Sequence, residues 1–308
     1  MTQPRHIPVL PRETIDALSP RPGETYADAT AGLGGHAALI AESVGPTGHI
    51  ILNDADPANL TFAQSRLAPT GCSVTALHGN FADLPRKLAA QNLVADMLLA
   101  DLGFSSNQME SPERGLSFMR DGPLDMRLDP TLPVTAAELV NSLPERDLAQ
   151  LIFEFGEDPA SRRIARKLVQ ARESEPITTT AKLASLIRSA VGPAACHGPT
   201  DPSTRTFQAL RISVNDEMGS LDALLQSISR AAESLVQGRD SWLRVGSRIA
   251  TLTFHSLEDR RVKRVFTDLV KQGLATEIIR GVTPPSEDEV RANPRSRSAK
   301  LRAIRIGS

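Results

Sequence analysis

Very little in this chain could form a disulfide or a metal centre. Its two cysteines, Cys72 and Cys196, lie far apart; that argues against a disulfide framework or a zinc site and fits a reducing cytoplasm. The six histidines are scattered and lack the spacing of a ligand set, so no metal is expected. His6 is isolated and reads as a surface residue. Aromatic residues are few, with one Trp and one Tyr. No run of about 18 apolar residues occurs, and the N-terminus lacks the apolar core of a signal segment. The expectation is a soluble, cytoplasmic protein with no membrane partner. Net charge is −1, so the molecule as a whole does not announce a nucleic-acid partner. No Gly-Lys-Ser/Thr follows the Gly-rich segment, which excludes a phosphate P-loop. No G-x-S-x-G occurs, which leaves His255 and Ser256 without the elbow a serine hydrolase needs.

What is present is a globular composition, 40% hydrophobic over 308 residues, enough for one large domain or two smaller ones. The organising stretch is Glu24-Thr-Tyr-Ala-Asp-Ala-Thr-Ala-Gly-Leu-Gly-Gly-His36. It reads as a short strand, a Gly-rich turn and a helix start. Tyr26, Ala27 and Ala29 suit a buried strand. Gly32, Gly34 and Gly35 permit positive φ and let a ligand lie against bare backbone. The helix from His36 to about Val44 aims its free N–H groups and positive dipole end at that turn. Such a turn suits an anionic or hydroxyl-rich ligand, a nucleotide or an amino-acid carboxylate. The third glycine of a full G-x-G-x-x-G is replaced by Ala37.

Gly48–Pro57 looks like a second strand ending in acids, and Asp54 falls twenty residues after Gly34. An acid at that place commonly accepts hydrogen bonds from ribose hydroxyls. Asp56, before Pro57, reads as the cap of the next helix. From residue 24 to 102 strands near 24–29, 48–53, 73–77 and 96–101 alternate with helices near 35–44, 57–67 and 82–90. That alternation argues an α/β fold with a parallel sheet covered on both faces. Ligands bind beyond the carboxyl ends of such strands, so Gly34, Asp54, Phe81 and Asp101 should converge on one crevice. Phe81 could stack on an adenine there.

Residues 103–134 mix Gly, Pro, Ser, Arg and Asp densely, and an irregular run of that length is usually functional. Helical patterns follow near 135–142, 145–154, 158–172, 179–191 and 205–237, the third rich in Arg and Lys. Sheet resumes at Ser247–Phe254, with Ser256 and Asp259 expected to cap a helix running to Lys271. Two more strands are expected at 275–279 and 299–306; the second, in a basic tail, reads as an edge strand. A helical block, 109–240, thus interrupts a discontinuous α/β domain made of 1–108 and 241–308.

Asp101-Leu-Gly-Phe-Ser-Ser-Asn-Gln108 closes the fourth strand. Were a methyl donor in the crevice, a nucleophile would be presented there. The lone pair of an exocyclic base amine is delocalised into the ring, so an acceptor that holds the amine hydrogens favours the pyramidal, attacking form. Asp101, nearby carbonyls or Ser105 could supply that acceptor. The remaining catalysis is alignment, worth about 7–11 kcal/mol at best. Arg114, Arg120 and Arg127, with Phe118, form the best RNA-facing set, the arginines for phosphates and the ring for a base.

These residues, together with His6-Ile-Pro-Val-Leu, His78-Gly-x-Phe81, Arg114-Gly-x-Ser-Phe118, Asp121-Gly-Pro-Leu-Asp-Met-Arg127, Thr204-Arg-Thr-Phe-Gln208 and Phe254-His-Ser-Leu-Glu-Asp-Arg260, resemble the bacterial 16S rRNA cytosine-N4 methyltransferase family, called RsmH or MraW. The match runs in order through nearly the whole chain. The resemblance implies a class I S-adenosylmethionine-dependent, Rossmann-like fold with an inserted all-helical domain for substrate recognition. It implies N4 methylation of one cytidine in the decoding region of 16S rRNA in the small ribosomal subunit. By the same resemblance Gly34, Gly35, His36, Asp54, Phe81, Asp101 and Gln108 would contact S-adenosylmethionine, with Asp101 on the cofactor, the target amine or both. Asn107 stands where the family usually has Pro, and Gly238–Gly246 replaces a shorter Pro-Gly-Gly turn. Two rival functions share some of these features: an NAD-dependent oxidoreductase, which Gly32-x-Gly34 and Asp54 suit equally, and a ribosome-assembly factor with an idle pocket.

Overall fold

In the computed structural model, which describes residues 8–193 and 200–307, the first half builds in alternation. The elements are α1 (Pro11–Leu18), β1 (Thr25–Asp28), α2 (Gly35–Val44), β2 (His49–Asp54), α3 (Pro57–Leu67), β3 (Ser73–His78), α4 (Leu84–Ala90) and β4 (Ala95–Asp101). Among the described residues there follow α5 (Ser106–Glu110), α6 (Ala136–Ser142), α7 (Glu145–Gly156), α8 (Ser161–Ser174), α9 (Thr180–Val191) and α10 (Ser203–Val214). The chain closes with α11 (Glu217–Val236), β5 (Leu243–Thr253), α12 (Ser256–Lys271), β6 (Ala275–Glu277), α13 (Glu287–Ala292) and β7 (Lys300–Ile306). His6 and Cys196 lie outside the described residues. The chain divides into two compact units, Met1–Gly103 with Met218–Ser308, and Phe104–Glu217.

The first unit holds a seven-stranded sheet in the order β3-β2-β1-β4-β5-β7-β6. β1 to β5 pair in parallel, while β7 is antiparallel to both β5 and β6. Strand order reverses at β1, whose neighbours are β2 and β4; such a switch point opens a crevice at the carboxyl ends of the strands. Both faces are covered, as the apolar strand runs require. On one face Ala27, Ile51, Leu98 and Ile249 pack with Leu84 and Leu88 of α4, Leu221, Leu225 and Ile228 of α11, and Val262 and Phe266 of α12. On the other, Tyr26, Ile50, Met97 and Ala250 pack with Leu18 of α1, Ile40 and Val44 of α2, and Leu60 and Leu67 of α3. The strand order and the antiparallel last pair are the class I methyltransferase architecture.

In the second unit, apolar positions three and four apart, such as Leu148, Leu151 and Ile152, or Leu183, Ala184 and Ile187, meet in one core. Leu116, Leu124 and Met126 join it. The irregular run therefore has a packed interior, and it includes α5 and a 3-10 turn at Pro112–Arg114.

Several sequence expectations are corrected. The helix expected over 205–237 is two, broken at Asn215 and Asp216, where Asp216 takes φ 46°. The Asn215 side chain accepts from Leu128 N and donates to Met126 O, bonds that compete with helix continuation. α11 packs on the sheet, so 218–240 belongs with the sheet-bearing unit rather than with the insertion. β7 is interior, between β5 and β6, not an edge. α12 is capped by His255 and Glu258, not by Ser256 and Asp259. Asp259 instead binds Arg302 at 2.8 Å and Lys300 at 3.2 Å.

Candidate active site

The parallel register of β1, β2 and β4 brings their carboxyl ends side by side on one edge of the sheet. Asp28 ends β1, Asp54 ends β2 and Asp101 ends β4. Hydrogen bonds tie the loops beyond them together. Asp54 Oδ2 accepts Gly32 N at 2.7 Å, while its Oδ1 accepts Asp56 N at 2.8 Å and Asn59 Nδ2 at 3.3 Å. A carboxylate offers about four lone-pair sites, so Asp54 pins the Gly-rich turn and keeps roughly one site for a hydroxyl. Asp101 N donates to Thr30 Oγ1 at 2.8 Å, linking the end of β4 to the turn after β1. Asn53 Nδ2 donates to Ala29 O and to Gly79 O, and Lys87 Nζ donates to Asn53 Oδ1.

Gly34 is the N-cap of α2 at φ 71°, a left-handed conformation that favours glycine. A Cβ there would stand 3.1 Å from Ala63 Cβ on α3. The bare position allows close packing of α2 on α3. Asp56 caps α3 through Ala58 N at 3.0 Å, as expected.

Burial sets the electrostatics. Asp28, only 2% exposed, is raised to about 7 by burial; a hydrogen bond from Tyr26 OH at 2.9 Å and the Thr30 N–H work against that rise. Asp101 is raised to about 8 by burial, then by the charges of Asp28 and Glu258. Burial also raises Asp54, opposed by the N–H groups of Asp56 and Gly32. A strongly shifted carboxyl cluster in a crevice marks a functional site. At neutral pH Asp101 is largely protonated, ready to donate or, once a cation arrives, to ionise. His36, buried at the start of α2, places Nε2 3.7 Å from Asp101 Oδ2. Asn80 caps the 3-10 turn Phe81–Asp83 through Ala82 N at 2.8 Å and reaches Ser220 Oγ on α11. Phe81 packs partly buried on the sheet's core.

Of the sequence-derived cofactor residues, Gly34, Gly35, His36, Asp54, Phe81 and Asp101 all belong to the sheet-bearing unit. Gln108 belongs to the second unit, where it is buried and its Oε1 accepts Ser105 N at 3.0 Å to close the cap of α5. The candidate RNA set is also in that unit. Arg127 is engaged by Asp125 through Nε and Nη2 at 2.8 and 2.7 Å, and by the carbonyls of Pro130 and Leu132. Phe118 packs edge-on against Phe207 at 5.0 Å, with Arg188 over its ring. Arg120 is exposed and Arg114 half-buried. Tyr26 and Asp28 were missed as site residues, although a lone Tyr two places before an acid on one strand face is a visible signal. Glu258, buried and acting on Asp101 through its charge, was missed as well; it accepts Phe254 N at 2.8 Å.

A cationic ligand bearing ribose hydroxyls fits this edge, because the buried carboxylates of Asp28, Asp54 and Asp101 lack full counter-charges and Asp54 retains an acceptor. The MraW methylase family matches residues 3–306. The Ribosomal RNA small subunit methyltransferase H of Acidobacterium capsulatum is 45% identical, covering 98% of this chain and 99% of its own. Its namesake from Symbiobacterium thermophilum is 44% identical over 97% and 96%, and that from Sorangium cellulosum 44% over 98% and 90%.

Proposed function

The chain belongs to the MraW methylase family, and we propose that it transfers the methyl group of S-adenosylmethionine to the N4 amine of one cytidine in the decoding region of 16S rRNA. The observation that carries this reading is the link between Asp101 and the Gly-rich turn, made through Thr30 Oγ1 at 2.8 Å. One rigid edge then holds the donor and receives the base. Its relatives are methyltransferases of small-subunit ribosomal RNA, which leaves the oxidoreductase and idle-pocket readings without support. The protein works in the cytoplasm on the small subunit. Among the described residues no helix is long and apolar enough to cross a membrane.

Gly34, Gly35, His36, Asp54, Phe81 and Asp101 of the sheet-bearing unit would hold the cofactor. S-adenosylmethionine supplies a methyl group on a sulfonium sulfur, which the amine nitrogen displaces to leave a neutral thioether. Asp54 would take a ribose hydroxyl on its remaining acceptor site, and Phe81 would offer a ring to the adenine. Asp101 accepts a hydrogen bond from the target amine and takes the proton that the alkylated nitrogen sheds. The ligand-free carboxyl, raised to about 8, is largely protonated near neutral pH; a cationic donor beside it favours the ionised form, which accepts. The base must leave any stack to reach this edge. Arg114, Arg120 and Arg127, with Phe118, serve the RNA side, Arg127 and Phe118 by shaping the loop from which Arg114 and Arg120 meet phosphates.

The test is incubation with methyl-labelled S-adenosylmethionine and small subunits from a strain lacking the activity. Label at a decoding-region cytidine, abolished by Asp101→Ala, is the expected result. Label elsewhere or none at all would discard the assignment.

A further inference from the structure

The opposite edge of the sheet carries a second polar cavity of about 250 Å³, lined by Arg21, Glu24, Asp96, Gly246, Arg248 and Arg305. A bulge shapes it. Between β4 and β5 the register passes from Ala95↔Leu243 to Met97↔Arg248, two steps on one strand against five on the other. The extra backbone bows outward, with Gly246 at φ 84° and Val245 64% exposed. Ser247 Oγ closes the base of the bulge on Ala95 O at 2.8 Å.

Charge decides what the cavity can take. Glu24 is engaged by Arg248, whose guanidinium meets both carboxylate oxygens and donates to Leu18 O. Asp96 is engaged by Arg244 Nε at 3.0 Å and by Thr25 N at 2.9 Å. Both acids in the lining are therefore neutralised. Among the described residues the guanidiniums of Arg21 and Arg305 have neither an ion pair nor a hydrogen bond. Arg305 stands directly across from Arg248 in the antiparallel ladder, and like charges in that position destabilise a sheet unless countered. Glu24 counters Arg248 alone. An anion between Arg21 and Arg305 would supply the missing counter-charge.

We propose that this cavity binds a phosphate group. Guanidinium forks match phosphate oxygens in geometry and charge, and the space exceeds several waters at about 30 Å³ each. The phosphate belongs either to a free small anion or to an RNA backbone; the recognition chemistry is the same.

Titration of the full chain with inorganic phosphate by calorimetry tests this, followed by competition with a short single-stranded RNA. Expected is saturable single-site binding, weakened about tenfold or more by the double variant Arg21→Gln/Arg305→Gln and by Val245→Glu. Affinity for S-adenosylmethionine stays unchanged in both variants and the melting temperature does not fall, which separates this cavity from the methyl-transfer site and from misfolding. Displacement of phosphate by RNA supports the proposal with a backbone phosphate as occupant; phosphate binding that RNA leaves intact supports it with a free anion. No saturable phosphate binding, or binding that both variants leave untouched, overturns it.

Discussion

Tyr26 and Asp28 sit two residues apart on β1, and the phenol of the first donates to the carboxylate of the second at 2.9 Å inside the core. The bond favours the ionised carboxyl. Tyr26→Phe should therefore destabilise the protein by about 1–2 kcal/mol, and more at pH 8 than at pH 5, because donation to a charged acceptor is the stronger bond. Urea unfolding at the two pH values measures it; equal losses would mean that the bond does not discriminate between the two forms.

The raised carboxyls predict how the ligand-free protein responds to pH. Asp28 and Asp101 move from an ordinary value near 3.8 to about 7 and about 8 on folding, so the folded state holds more protons between pH 4 and 8. The contribution of these two groups is greatest below the ordinary carboxyl range and falls as pH rises to 8, by at most about 1.4 kcal/mol per unit for each group. Melting curves from pH 5 to 8 should show the decline, flattened by Asp101→Asn. Cationic S-adenosylmethionine should flatten it too, and bind more tightly as pH rises.

Asp54 holds three donors at once. Asp54→Ala should cost about 2–3 kcal/mol, since buried N–H groups lose their acceptor. It should also weaken S-adenosylmethionine binding in calorimetry by more than that loss of folded protein explains.

Gly34→Ala meets both a left-handed φ and the side chain of Ala63. A loss of about 2–3 kcal/mol is expected. In a double-mutant cycle Ala63→Gly should relieve about 1 kcal/mol of it, the steric part; no coupling would place the whole cost in the backbone.

Arg127 and Arg120 should separate. Arg127→Ala removes the bidentate bond to Asp125 and two carbonyl contacts, and should lower the melting temperature by an amount equivalent to about 1–3 kcal/mol. Arg120→Gln, at an exposed site, should leave melting alone and weaken binding to the small subunit in a salt-dependent way.

Much of the sheet was legible because period and punctuation are local signals. The runs Tyr26–Asp28 and Met97–Ala100, and Asp56 before Pro57, announce themselves within a few residues. Asp54 and Asp101 were legible too, since strand ends in a parallel sheet share an edge. What escaped depends on partners distant in sequence. Ala63 occupies the space beside Gly34, Glu258 acts on Asp101 through its charge, and Asn215 breaks a helix by bonding to Met126 and Leu128. Arg127 looked available for phosphate because its commitments to Pro130 and Leu132 are made by loop shape, which residue type does not encode. The bulge in β5 was invisible for the same reason: Ser247 reads as an ordinary strand residue, and its side-chain bond to Ala95 O joins residues far apart in sequence.

The insertion also sets a timetable. β4 and β5 are neighbours in the sheet, but residues 102–242 lie between them. At a translation rate of about 5–20 residues per second, roughly 7–28 s separate the synthesis of the two strands. During that interval the apolar edge at Met97–Ala100 has no partner strand, and a nascent chain in that state is the one most exposed to aggregation and most in need of a chaperone.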